Sequence, residues 1–306
     1  MDTKNIIAAI SLSIAIIVLW SLFFPPPSQE KLSKSENESE NVLNSTDTPS
    51  IDPKTSDEIL SRDNALKISE RIYFENENIK GSISLNGATI DDLIFKKYKK
   101  KIDTEEKVIL LNPKNTSLGY YVETGWVTNS KNIDLPDNQS IWKVDGNSEL
   151  SPNKNVKIFW QNKQGLTFEK NISIDSQYLF TINQTVKNNS NSIYNFYPYG
   201  QIVREKIPEI VDFFILHEGP IGVFDNQLVE KDYKDIVDKK FSRNVNEGFL
   251  GITDKYWITS LIPEKNKKFR ADFEYKKKFK TNFIEINPIE IQPKSQISNE
   301  IKVIIA

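Results

Sequence analysis

The chain of 306 residues contains no cysteine, one histidine and one methionine. Without cysteine there is no disulfide framework, thiolate zinc site, iron–sulfur cluster or cysteine nucleophile. The lone imidazole, His217, excludes any mechanism that needs two. Charge of one sign is not in excess either: 40 Lys and Arg face 42 Asp and Glu, a net charge of −2. Nucleic-acid binding requires several phosphates neutralised by clustered cations, so no nucleic-acid partner is expected. The sequence carries no P-loop, G-x-G-x-x-G, H-E-x-x-H or G-x-S-x-G motif, and no catalytic, cofactor-binding or metal-ligating residue is assigned. Heptads and repeats of about 20–50 residues are also missing.

What is present is unevenly spread. Residues 6–24 read IIAAISLSIAIIVLWSLFF, a run without charge. As a helix it would span roughly 28 Å, close to the ~30 Å hydrocarbon core of a bilayer. The run is longer than the apolar part of a secretory signal and ends in Phe24 and three prolines, with no small-x-small cleavage site. An uncleaved anchor over residues 1–25 is therefore expected, with Trp20 at the membrane interface. Lys4 precedes the run, and Lys31 and Lys34 follow it, so the positive charges leave orientation open. The simpler topology keeps the short N-terminus in the cytoplasm and translocates the long remainder.

Residues 26–62 are rich in Ser, Asn, Glu, Thr and Pro and contain no aromatic residue. Such a segment buries too little apolar area to offset its chain entropy, which predicts a disordered tether. Residues 63–306 then form one domain. Short β-branched and aromatic runs predict strands at 67–75, 79–85, 88–98, 107–111, 156–162, 166–174, 178–187, 193–203, 256–262, 268–276, 282–286 and 296–305. Asn86-Gly87 and Asp145-Gly146-Asn147 supply turns. The best helical signal is short, at 230–238. So many strands point to a mainly β, large antiparallel sandwich.

Several local constellations bear on chemistry. His217-Glu218-Gly219-Pro220 contains an acid–base couple, but neighbouring strand residues point to opposite faces, so a structural or turn role is favoured. Asp91-Asp92 is read as a solvated strand entry rather than a cation site. The run Lys96-Lys97-Tyr98-Lys99-Lys100-Lys101 has the composition to meet acidic headgroups, although a solvated hairpin is the plainer reading. The aromatic string 193–199 reads as sandwich core ahead of a sugar or peptide groove.

The stretch Gly248-Phe249-Leu250-Gly251-Ile252-Thr253-Asp254-Lys255-Tyr256-Trp257, continuing to Ile262-Pro263, resembles a signature of bacterial membrane protein insertases of the YidC/Oxa1/Alb3 family, with Phe249 where Trp is common. The order of apolar run, proline-rich exit, acidic tether and sandwich also resembles the amino-terminal half of those proteins. The resemblance implies a periplasmic β-supersandwich of the galactose-mutarotase-like kind, anchored in the inner membrane. It implies work on nascent membrane proteins with the Sec translocon, without bond chemistry. It marks Gly248, Gly251, Asp254, Tyr256, Trp257 and Pro263 as motif residues of structural character. In the family, insertion resides in a later bundle of helices whose groove holds an arginine. Nothing in this sequence corresponds to it, and Arg204, Arg243 and Arg270 are not assigned that role. The alternatives are an anchored periplasmic adaptor or a carbohydrate-binding, mutarotase-like sandwich.

Overall fold

The computed structural model describes residues 59–208 and 216–306. The expected anchor at 1–25, Trp20 and nearly all of the expected tether lie outside the described residues. Among the described residues no helix is long and apolar enough to cross a membrane.

Along the chain run α1 (Arg62–Ala65), β1 (Arg71–Glu75), β2 (Ile79–Ser84), β3 (Thr89–Lys99), β4 (Lys107–Leu111), β5 (Tyr120–Val127), β6 (Lys143–Asp145) and β7 (Glu149–Leu150). Next come β8 (Val156–Gln161), β9 (Leu166–Ile174), β10 (Leu179–Asn188), β11 (Tyr194–Arg204), β12 (Gly219–Phe224), β13 (Gln227–Glu230) and α2 (Tyr233–Asp238). The last are β14 (Phe241–Val245), β15 (Gly248–Thr253), β16 (Ile258–Ile262), β17 (Phe269–Lys276), β18 (Lys278–Glu285), β19 (Ile289–Ile291) and β20 (Ser295–Ile305).

The larger sheet has the order β14-β17-β18-β11-β5-β3-β2-β1-β7, with β19 added on β11 and β4 on β3. The smaller runs β13-β12-β15-β16-β20-β10-β9-β8-β6. Among the named strands pairing is antiparallel, except that β1 and β7 run parallel. In β10 and β20 buried and more exposed residues alternate, so each strand turns one face inward. The inward faces of the two sheets meet in one core, as the ring contacts Phe74–Phe180 at 5.0 Å and Phe168–Phe196 at 5.9 Å show.

β5 obeys a different rule, because all eight residues of YYVETGWV are buried. Its Tyr120, Val122 and Trp126 face the core, while Val127 joins Tyr197, Tyr199 and Ile284 in a second cluster. A strand covered on both faces has no alternation to read, and β5 is not among the strands predicted above. The same double burial overtakes β17, where Asp272 and Glu274 are buried along with Phe269, Ala271 and Phe273. Lys240 and Arg270 reach Asp272 at 3.2 and 3.0 Å.

Two expectations need correction. Asp91 and Asp92 are not a solvated strand entry: both are buried within β3 and paired with Arg71 and Arg62. The helix predicted at 230–238 is shorter, since Glu230 closes β13 and only Tyr233–Asp238 is helical. Residues 60–62, placed in the tether by composition, contact the domain: Leu60 bridges to Thr116, and Arg62 bonds Asn112 at 3.2 Å. The Asn86-Gly87 turn joins β2 to β3, with Gly87 and Ala88 both at positive φ.

Candidate functional site

The motif at 248–263 folds as a hairpin in the smaller sheet. β15 and β16 pair from Leu250–Leu261 to Thr253–Ile258, and a tight turn joins them, closed by the Asp254 N–H donating to the Trp257 carbonyl at 2.8 Å. Its glycines are required by close backbone approach. A Cβ at Gly248 would lie 1.9 Å from the Val223 carbonyl oxygen, on a residue already at φ +148. One at Gly251 would lie 2.4 Å from the Thr259 oxygen.

The turn sends its side chains three ways. Asp254 points inward and accepts from Arg204 at 2.6 Å, a pair with little exposure on either side. The Arg204 guanidinium also lies 4.4 Å from the Tyr120 ring centroid and 3.4 Å from the Tyr233 hydroxyl. The latch therefore ties the motif turn to β11, β5 and α2. Burial pushes the Tyr233 phenol up to about 12, so it stays a neutral donor or acceptor beside the ion pair. Trp257 lies over Phe95 with ring centroids 4.2 Å apart and meets the edge of Tyr98 at 5.0 Å. Tyr256 is left pointing out, with the Lys255 ammonium 5.1 Å from its ring.

Gly248 and Pro263 are not part of this turn, because they lie at the opposite end of the hairpin. There they line a cleft of about 330 Å³ with Asn246, Glu264, Phe269 and Lys302. Beside it the Asn299 amide donates to Glu264 and Glu285, 2.7 Å to each. Burial pushes the Glu285 carboxyl up to about 7, with the Asn299 hydrogen bond pulling the other way. The motif thus marks one hairpin with two separate ends rather than one constellation.

Several deeply buried charged groups were missed or misread by sequence reasoning. Arg71 bonds Asp91 and reaches Ser82 at 2.7 Å, and Ser82 donates to Asp92 at 2.6 Å. Burial pushes Asp91 up to about 6 despite Arg71. Lys170 is buried, donates to the Thr124 carbonyl at 2.7 Å, and is pushed down to about 7 by burial, with the Glu123 charge opposing. Nothing in a local pattern pairs residues so far apart in sequence. The space beside Lys170 and Glu123 is about 20 Å³, room for one water and not for a substrate.

His217 takes the turn role: its Nε2 lies 3.0 Å from the Pro220 carbonyl and its Nδ1 3.9 Å from Asp232. The lysine run 96–101 forms one side of the β3–β4 hairpin, where Lys96, Lys99 and Lys100 pair with Glu75, Glu105 and Glu106. The aromatic string lies in β11, with Phe196, Tyr197 and Tyr199 buried. Arg243 bonds Gln227 and Arg270 bonds Asp272, both on the sandwich. Among the described residues no group of three or more His, Cys, Asp or Glu side chains is placed to hold a metal ion. The arrangement provides latches, a cleft and an exposed aromatic turn, which are parts suited to positioning and contact.

Comparison with known proteins accords with this geometry. A family model described as the YidC periplasmic domain matches residues 71–305. The membrane protein insertase YidC of Pelagibacter ubique (strain HTCC1062) is 49% identical over 306 residues, covering 100% of this chain and 55% of that protein. The membrane protein insertase YidC of Rickettsia prowazekii (strain Madrid E) is 38% identical over 299 residues, covering 94% of this chain and 52% of that protein. The chain thus spans about half the length of the curated relatives it matches. Among solved structures, a galactose mutarotase related enzyme from Lactobacillus acidophilus superposes with a TM-score of 0.52 at 12% identity, over 78% of this chain and 97% of that one. The Slr1438 protein from Synechocystis gives 0.50 at 7% identity, over 78% and 96%. At such identities the likeness is one of fold.

Proposed function

The chain belongs to the YidC family of membrane protein insertases, over that family's periplasmic domain, and from that premise we propose that it is the anchored accessory part of an insertase. The observation that carries the reading is the family match across residues 71–305. In this reading residues 1–25 hold the chain in the bacterial inner membrane as a single span, with the N-terminus cytoplasmic. The sandwich stands in the periplasm and assists insertion, folding and assembly of nascent membrane proteins, with Sec translocon components as partners.

The work involves contact and no bond chemistry. The shifted groups Lys170, Asp91 and Glu285 are buried in the fabric of the sandwich, with fixed protein partners. The mutarotase-like neighbours support a shared architecture, and fold alone does not carry an activity. Membrane insertion demands more than this chain offers. Shielding a polar segment from lipid takes a hydrated cavity lined by several helices, and one apolar span cannot form it.

The test is an insertion assay in proteoliposomes containing residues 1–306 alone. No insertion of a single-span substrate above protein-free vesicles is expected. Insertion by this chain by itself would overturn the division of labour proposed here.

A further inference from the structure

We propose that the exposed tip formed by the β3–β4 hairpin and the β15–β16 turn is a docking site for an anionic phospholipid surface. The two loops stand side by side, joined by the contact of Tyr98 with Trp257 at 5.0 Å. Apolar and aromatic side chains project from them into solvent: Ile102 is 93% exposed, Tyr256 70% and Tyr98 47%. No packing within the described sandwich accounts for an isoleucine at a hairpin apex.

Around these side chains the charge is positive. Residues 96–107 hold six lysines against three carboxylates. Glu105 and Glu106 neutralise Lys99 and Lys100, and Glu75 pairs with Lys96, so the positive excess of this stretch comes from Lys97, Lys101 and Lys107 against Asp103. Lys97 bonds a neutral amide, that of Asn78, at 2.7 Å, and Lys255 lies beside Tyr256. Tyrosines and an aliphatic apex on the same loops as Lys97, Lys101 and Lys255 match the chemistry of a headgroup layer. The rings sit at the interface, the aliphatic group enters it, and the ammonium groups meet phosphates.

The proposal deepens the reading of a membrane-anchored domain and rests on it, by naming the surface that the domain itself touches. The absence of native cysteine permits a direct test. Ile102→Cys in the full chain is labelled with an environment-sensitive fluorophore and reconstituted into phosphatidylcholine vesicles, with or without phosphatidylglycerol. A second labelled chain carries Lys265→Cys, an exposed position beyond the far end of β16. With phosphatidylglycerol, the label at 102 is expected to shift to shorter wavelength and to be quenched several-fold more by spin-labelled lipid than the label at 265. High salt should reverse the shift, and the combined changes Lys97→Gln, Lys101→Gln and Lys255→Gln should abolish it. Lys97 is exposed near the end of β3 and Lys101 and Lys255 lie in the two loops, and an unchanged thermal transition checks that the fold is kept.

A label at 102 that stays in a water-like environment on anionic vesicles overturns the proposal. So does a shift equal on both vesicle types, or one produced by an acidic polypeptide and not by vesicles. Flotation of the unlabelled chain reports the anchor separately. Flotation with both vesicle types and an unresponsive label removes the tip alone, whereas a chain that floats with neither removes both readings.

Discussion

Asp254→Asn is the most informative single change. It keeps the size of the side chain and the backbone bond that closes the turn, and it removes only the charge. The pair it breaks has side-chain exposures of 12% at Arg204 and 17% at Asp254, with an N–O distance of 2.6 Å. The guanidinium would be left against the Tyr120 ring and the Tyr233 hydroxyl, neither of which carries a compensating charge. Breaking a buried pair from one side costs about 3–5 kcal/mol, and the residual exposure puts this case near 3. For a domain of this size that corresponds to a fall in Tm of about 6–12 °C. Denaturant unfolding of Asp254→Asn, Arg204→Met and the double variant gives the coupling. The double variant should lose less than the sum of the two by about 2 kcal/mol. A loss below about 0.5 kcal/mol, the size of a surface pair, or additive losses would refute the latch.

Gly248→Ala is expected to destabilise by about 3 kcal/mol or more, since its Cβ meets the Val223 oxygen at 1.9 Å and neither strand can move alone; the urea midpoint measures it, and a neutral result would contradict the register. Trp257→Ala should cost about 2–3 kcal/mol, below a fully buried tryptophan because it is only partly covered, and it should leave the far-UV circular dichroism unchanged. Glu285 binds its proton more tightly folded than unfolded, its value rising from 4.5 to about 7, so stability is lost as pH rises through that window, by at most about 3 kcal/mol. Glu285→Gln retains an oxygen for Asn299 and should remove that part of the slope, leaving the same-signed contribution of Asp91 between 3.8 and about 6. Unfolding titrations at several pH values check it, and an unchanged slope would count against the assignment.

How much of this was legible in the sequence depended on whether a strand has a wet face. β9 at Leu166–Ile174 and β4 at Lys107–Leu111 coincide with their expected bounds, and β20 begins one residue before the expected 296. β5 escaped because both of its faces are covered, and it contains Glu123 and Gly125, residues that strand signals disfavour. β16 begins at Ile258 instead of 256 because the Asp254–Trp257 hydrogen bond spends those residues on a turn. Asp91-Asp92 was misread because two adjacent carboxylates look solvated unless their arginines are known. Those arginines come from a preceding strand and helix, brought alongside by tertiary pairing. The motif at 248–263 was visible as a block of residues. Its separation into a latched turn and a cleft-lining end depends on the length of the hairpin and on Arg204, about 50 residues earlier.

The central claim, that this chain is the anchored accessory part of a YidC insertase, is tested most directly by exchange. Residues 1–306 would replace the matching part of the Pelagibacter ubique relative, to which they are 49% identical. The chimera would then be assayed for insertion of a single-span substrate into proteoliposomes, beside the intact relative. Insertion within a few-fold of the intact relative is expected. A chimera that folds and reconstitutes yet inserts nothing would contradict the account.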